Sequence, residues 1–197
     1  MDFNAIENRL QRIYDSINST YSDDKESHTK MEVNQDILSI SFERGTETEN
    51  QVRLFAIIHN IANLKDNLKN KLRELGIDSS LVEKEIDNSL YLQLIADLSN
   101  QDKHGYPLTK TRRSGKDPLI ENISTCLIMS SKEDGSDTAS MSFKLDGTGV
   151  PIFEGNNKIS VSADIVDASK NYICGFNIMV ENATKQWELF LKIHGII

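Results

Sequence analysis

The stretch Asp97-Leu-Ser-Asn-Gln-Asp-Lys-His-Gly105 packs a carboxylate, an amide, an ammonium and an imidazole into the end of an apolar segment. On a helix, Asp97, Asn100 and His104 fall at i, i+3 and i+7 and share a face. A histidine is suited to proton transfer near neutral pH, and a neighbouring carboxylate or amide fixes its tautomer. Asp97, Asn100, Lys103 and His104 are therefore candidate ligand-binding residues, with His104 the catalytic candidate if the protein is an enzyme. The plainer reading is that Asp97 and Asn100 satisfy loop backbone groups, while Lys103 and His104 complement the negative end of a helix dipole.

A basic loop follows directly. Between Lys103 and Lys116 there are five Lys or Arg residues and no acid, in a chain of net charge −8. Arginines in a Gly/Ser loop grip phosphate with forked donors, which adds Arg112 and Arg113 to the candidate set. The loop lacks the GxxxxGK[ST] spacing of a phosphate-binding loop and has no interleaved aromatics to stack bases. A solvated connection pairing with the chain's many acids is the competing reading.

Other chemistry is sparse. His59, Asn60, Asn63 and Asn67 form a polar stripe that either completes a pocket with the His104 region or forms the wet side of a helix. No HExxH, CxxC or calcium-loop spacing is present, and no serine elbow, so neither a metal nor a cofactor is expected. Trp187 reads as a core anchor. Cys126 and Cys174 lie far apart and read as reduced thiols.

Four segments carry a helical stripe that would position these groups. The first runs from Phe3 through Ile6, Leu10 and Ile13 to Ile17, with Asp2 as N-cap. The second has Leu54, Ile57, Ile61, Leu64, Leu68, Leu72 and Leu75, opened by the Thr46/Glu49 capping-box spacing and closed by Gly76. The third starts at Ser80 with Glu83 as a second capping box, carries Val82, Ile86, Leu90, Leu94 and Leu98, and stops by Gly105. It is apolar on nearly every side over residues 90–98, which predicts the most buried helix. The fourth has Ile173, Phe176, Val180, Ala183, Trp187, Phe190 and Leu191, closed by Gly195. Tyr172 to Val180 also alternates, so a strand over 171–180 is the alternative there. The unbroken stripe to Phe190 favours the helix.

Between the third and fourth helices the period becomes two. Ile123–Met129, Ala139–Leu145 and Ile159–Ile165 predict a three-stranded antiparallel meander, and Leu38, Ile40 and Phe42 add a fourth strand at an edge. Residues 18–35 are polar enough for a mobile connection. The expected fold class is thus α+β: an antiparallel four-helix bundle with a three- to four-stranded β-meander inserted before the last helix. One domain over 1–197 is expected, helical over 1–105 and 168–195, with the insertion at 119–166.

The chain has 197 residues, 38% hydrophobic and 26% charged, a soluble globular composition. No apolar run approaches the roughly 20 residues of a membrane helix, so no membrane partner is expected. The acidic, amphipathic start resembles no secretory signal, which makes the cytoplasm the expected compartment. The net negative charge argues against nucleic-acid binding over the whole surface but allows a local basic site.

A helical bundle whose third helix ends in a polar residue, three variable residues and a histidine resembles the HEPN superfamily. Its motif is Arg, a polar residue, three variable residues, then His, and here Ser99, Asn100 and His104 occupy the matching positions. The histidine and the polar residue agree, whereas Ser99 replaces the arginine. The resemblance implies an all-α core, RNA or nucleotide as ligand, and a site formed across a homodimer. The serine shifts the expectation from catalysis to binding, unless Arg112 or Arg113 substitutes from the loop. A looser likeness links the helix end and the RSG loop to bacterial proteins with an NxxKHG-type helix end. The leading expectation is a non-catalytic HEPN-like module binding an anion such as RNA or a nucleotide. The alternatives are a metal-independent ribonuclease using His104, and an interaction or scaffold protein in which the cluster only caps a helix.

Overall fold

The long apolar stripe beginning at Leu54 becomes the axis of the molecule. In the computed structural model, which describes residues 6–18, 28–34, 37–43, 46–105, 113–129, 140–143, 151–154 and 157–197, this segment is a helix over Glu47–Glu74. Thr46 caps it: the Glu49 N–H donates to Thr46 Oγ1 at 3.2 Å, and the Thr46 N–H donates to Glu49 Oε2 at 2.9 Å. These bonds satisfy donors that have no partner within the helix. At the other end Gly76 takes a φ of +69°, and the Ile77 N–H returns to the Leu72 carbonyl at 2.8 Å. Leu54, Ile58, Ile61, Leu64, Leu68 and Leu72 are fully buried. Ile58 takes the core position expected of Ile57, which is half-buried, and Leu75 is exposed beyond the last turn.

The helices are α1 (Ile6–Asn18), α2 (Glu47–Glu74), α3 (Leu81–Asn88), α4 (Leu90–His104) and α5 (Phe176–Ile193). Helix α2 packs against all four others, so it takes the central place expected of the third predicted helix. That third segment is two helices. Ser89 adopts extended backbone, φ −120° and ψ 112°, and its hydroxyl accepts from the Leu92 N–H at 3.4 Å, starting α4 afresh. The restart changes the phase of the stripe: Leu90 is left exposed, while Leu92, Leu94, Ile95 and Leu98 are buried. The expected Ser80 capping box does not form. The Ser80 hydroxyl instead donates to Asp78 Oδ2 at 2.5 Å, and Glu83 pairs with cations elsewhere.

The strands are β1 (His28–Asn34), β2 (Ile37–Glu43), β3 (Leu119–Met129), β4 (Ser140–Phe143), β5 (Pro151–Glu154), β6 (Asn157–Val166) and β7 (Tyr172–Gly175). The α+β class is therefore observed, with five helices and a three-stranded antiparallel sheet of order β3-β6-β7 among the described residues. Its third strand is not the segment around Ser140, which pairs with β5 in a separate hairpin. It is β7, where a helix was expected. Tyr172–Gly175 pairs with β6 as an edge strand, and Gly175, with extended backbone, begins α5. The predicted strand at 38–42 lies within β2, whose partner β1 occupies part of the stretch expected to be a mobile connection. Asp2 and Phe3, the expected start of the first helix, lie outside the described residues.

From the sheet, Ala163, Ile165 and Cys174 join the core of Leu, Ile and Trp187 side chains supplied by the helices. Helix α5 touches both β6 and β7 and carries Trp187, Phe190 and Leu191 against α4 and α2. Trp187 and Phe190 meet edge to face with centroids 5.8 Å apart, a favoured aromatic geometry.

Candidate functional site

Helix α4 presents two different polar faces near its end. Asp97 is buried, and its carboxylate accepts from the Arg113 N–H at 3.0 Å, the Ser114 N–H at 2.9 Å and the Ser114 hydroxyl at 2.6 Å. Three bonds to one buried carboxylate pin the end of the basic loop to the helix, since charge-assisted bonds are roughly twice as strong as neutral ones. Asp97 thus organises the loop and does not orient His104.

Two residues further on, Ser99 is buried and faces α2. His59 Nδ1 lies 2.9 Å from Ser99 Oγ, and His59 Nε2 lies 2.7 Å from Asp102 Oδ2. With the imidazole neutral, Nε2–H donates to Asp102 and the Ser99 hydroxyl donates to Nδ1. The array has the composition of a nucleophilic triad without its setting. Ser99 sits inside α4, whose own carbonyls take the surrounding backbone N–H groups, so no backbone donor is free for an oxyanion. The array instead fixes Ser99 and ties α2 to α4.

Between these faces lies a cavity of about 170 Å³. Its polar lining comprises Asn63, Lys65, Ser99, Asn100, Lys103 and Arg113, together with the acid Asp66. Lys65, Lys103 and Arg113 outnumber Asp66 in the lining, but Glu83 and Asp87 compensate Lys65 and Arg113 from outside it. The Arg113 guanidinium is held by α3: it pairs with Glu83, and Nη1 lies 3.1 Å from Asp87 Oδ1. Glu83 also pairs with Lys69 and lies 3.5 Å from Lys65. Burial works against ionising Glu83, but bonds from Lys69 and Arg113 and the Lys65 charge outweigh it and hold its carboxyl at about 2. Lys103 is exposed and forms no ion pair among the described residues.

Of the residues singled out in the sequence, Asn100, Lys103 and Arg113 come together at this cavity. His104 is exposed in the last turn of α4, outside the lining, with no hydrogen bond to a described side chain. Arg112 lies outside the described residues. The polar stripe of α2 divides: His59 and Asn63 turn toward α4 and the cavity, while Asn60 donates to Ser16 of α1 at 3.2 Å. The sequence did not single out Asp102 or Lys65; Ser99 entered only as the residue in place of the motif arginine and Trp187 only as a core anchor. The 59/63 spacing on one helix and the 99/102 spacing on another carried the signal, but only their packing joins the two. Among the described residues no three His, Cys, Asp or Glu side chains gather as a metal site, and no helix is long and apolar enough to cross a membrane. Comparison with protein families, with curated proteins and with solved structures finds no match to this chain.

Proposed function

We propose that the protein is a non-catalytic, HEPN-like module that binds an anionic ligand, RNA or a nucleotide, at the end of α4 and the adjoining basic loop. The observation that supports this reading is the convergence of Asn100, Lys103 and Arg113 on one cavity with Lys65 and Asn63 opposite. Lys103, with no acid partner among the described residues, is the charge most available to a phosphate. Drug-sized ligands fill pockets of roughly 300–1,000 Å³, so only part of a nucleotide enters a space of about 170 Å³. A homodimer, which the HEPN likeness implies, belongs to the same reading and is measured by light scattering.

The test is fluorescence anisotropy of a labelled single-stranded RNA at low salt. Binding that weakens as salt rises supports the reading. Asn100→Ala with Lys103→Ala removes two exposed groups and lowers affinity about tenfold, the effect of one lost charged contact, with the circular dichroism spectrum unchanged. Arg112→Ala with Arg113→Ala has the same direction. Absence of salt-sensitive binding to RNA or to a mononucleotide overturns it. The ribonuclease alternative requires RNA cleavage in EDTA that His104→Ala abolishes.

A further inference from the structure

Trp187 is the chain's sole tryptophan. It is 2% exposed, lines the cavity, and its indole N–H has no hydrogen-bond partner among the described residues. A buried tryptophan normally finds an acceptor, and leaving the donor unpaired is destabilising. The cavity's polarity is graded. Its exposed lining residues, Asn63, Asp66, Asn100, Lys103 and Arg113, form a polar mouth, whereas Ile61, Ile86, Leu92 and Ile95 form a buried apolar wall. A bare phosphate is suited to the mouth alone, because stripping its hydration against an apolar wall is costly. A neutral body is suited to the wall.

On the reading of the cavity as an anion site, we propose that its ligand is a phosphate monoester of a small neutral body. The phosphate meets Lys103 and Arg113 at the mouth. The body enters the cavity and places an acceptor atom on the Trp187 indole N–H. Trp187 is then a specificity-determining residue, separating esters with an acceptor at that depth from phosphate alone. A free mononucleotide and the terminal nucleotide of a 5′-phosphorylated RNA share this chemistry.

The experiment titrates the full chain with adenosine 5′-monophosphate, adenosine and inorganic phosphate, following tryptophan emission and, independently, heat by calorimetry. The expected result is binding of the monophosphate at least about tenfold tighter than either part, as one added buried contact supplies, with a shift in tryptophan emission. Trp187→Phe then reduces the monophosphate to the affinity of inorganic phosphate and leaves inorganic phosphate unaffected. Ala62→Met, which narrows the cavity from α2 and leaves Trp187 in place, gives the same selective loss and covers the case of a Phe variant that fails to fold. Equal affinity for phosphate and monophosphate, or a monophosphate affinity unchanged in both variants, overturns the inference and leaves the anion site standing. Absence of binding by any of the anions overturns both. Competition by a 5′-phosphorylated RNA assigns the ligand to an RNA terminus, and lack of competition assigns it to the free mononucleotide; either supports the site.

Discussion

His59 and His104 stand on neighbouring helices in opposite circumstances. His59, in the middle of α2, has a side chain 24% exposed and is engaged at both ring nitrogens by α4. His104, in the last turn of α4, is exposed, and no described side chain bonds it. The first is fixed by residues 40 and 43 positions away in the chain; the second has polar neighbours in sequence that turn elsewhere. What holds an imidazole is the face of the opposite helix, and spacing along its own helix does not reveal that face. The contrast extends to charge. Glu83 is surrounded by Lys65, Lys69 and Arg113, whereas Lys103 stands without an acid among the described residues.

The largest effect expected concerns the carboxylate on which sequence reading relied to orient His104. Asp97→Ala leaves two backbone N–H groups and a hydroxyl without their acceptor and costs about 3 kcal/mol in urea unfolding. Asp97→Asn, which keeps one acceptor, costs less. A loss below about 1 kcal/mol in the alanine variant breaks the view that Asp97 pins the loop.

The two histidines themselves come next. His59→Ala strands the buried Ser99 hydroxyl and costs about 1–2 kcal/mol. His104→Ala stays within about 0.5 kcal/mol, as an exposed substitution should. Equal losses in the two variants would erase the contrast.

A smaller effect is confined to acid. Because the folded-state carboxyl of Glu83 sits at about 2, below its ordinary value of 4.5, its contribution is full above pH 4.5 and is lost as pH falls toward 2. Glu83→Gln therefore lowers Tm at neutral pH, and its melting curve converges with the wild type near pH 2. A constant gap over that range contradicts the assignment. The smallest change belongs to ligand affinity in His104→Ala, which leaves RNA anisotropy titrations within about twofold of wild type, a shift of less than 0.5 kcal/mol.

Much of the scaffold was legible in the sequence. The Thr46/Glu49 spacing announced the start of α2, Gly76 and Gly195 its stop and that of α5, and the apolar stripes named most of the core. Each of these signals is local, carried by one turn of chain. The errors arose where distant contacts decide. Gly175 and the Tyr172–Cys174 alternation fit both helix and strand, and pairing with β6 made the segment a strand. Ser80 and Glu83 have capping-box spacing, but Asp78 takes the hydroxyl and three cations take the carboxylate. Lys103 and Arg113, with the amide of Asn100, were legible as a polar and cationic cluster because they flank one loop. Asp102 and the bond between Ser99 and His59 were not, since each gains its meaning from a helix far away in the chain, whereas Trp187 read as a core anchor and is buried as one.

The break at Ser89 has a geometric consequence. From that residue each step along α4 turns the helix by about 100°. The eight positions from Ser89 to Asp97 therefore set the azimuth of everything beyond them. Deleting one residue among Leu90–Leu94 would swing Asp97 off the loop and Ser99 and Asp102 off His59 in a single rotation, although every one of those side chains would still be present. Seven residues inserted into the intact helix, close to two full turns, would keep their bearing and move the whole cluster along the axis. The site is encoded as a count of residues as much as by their identities.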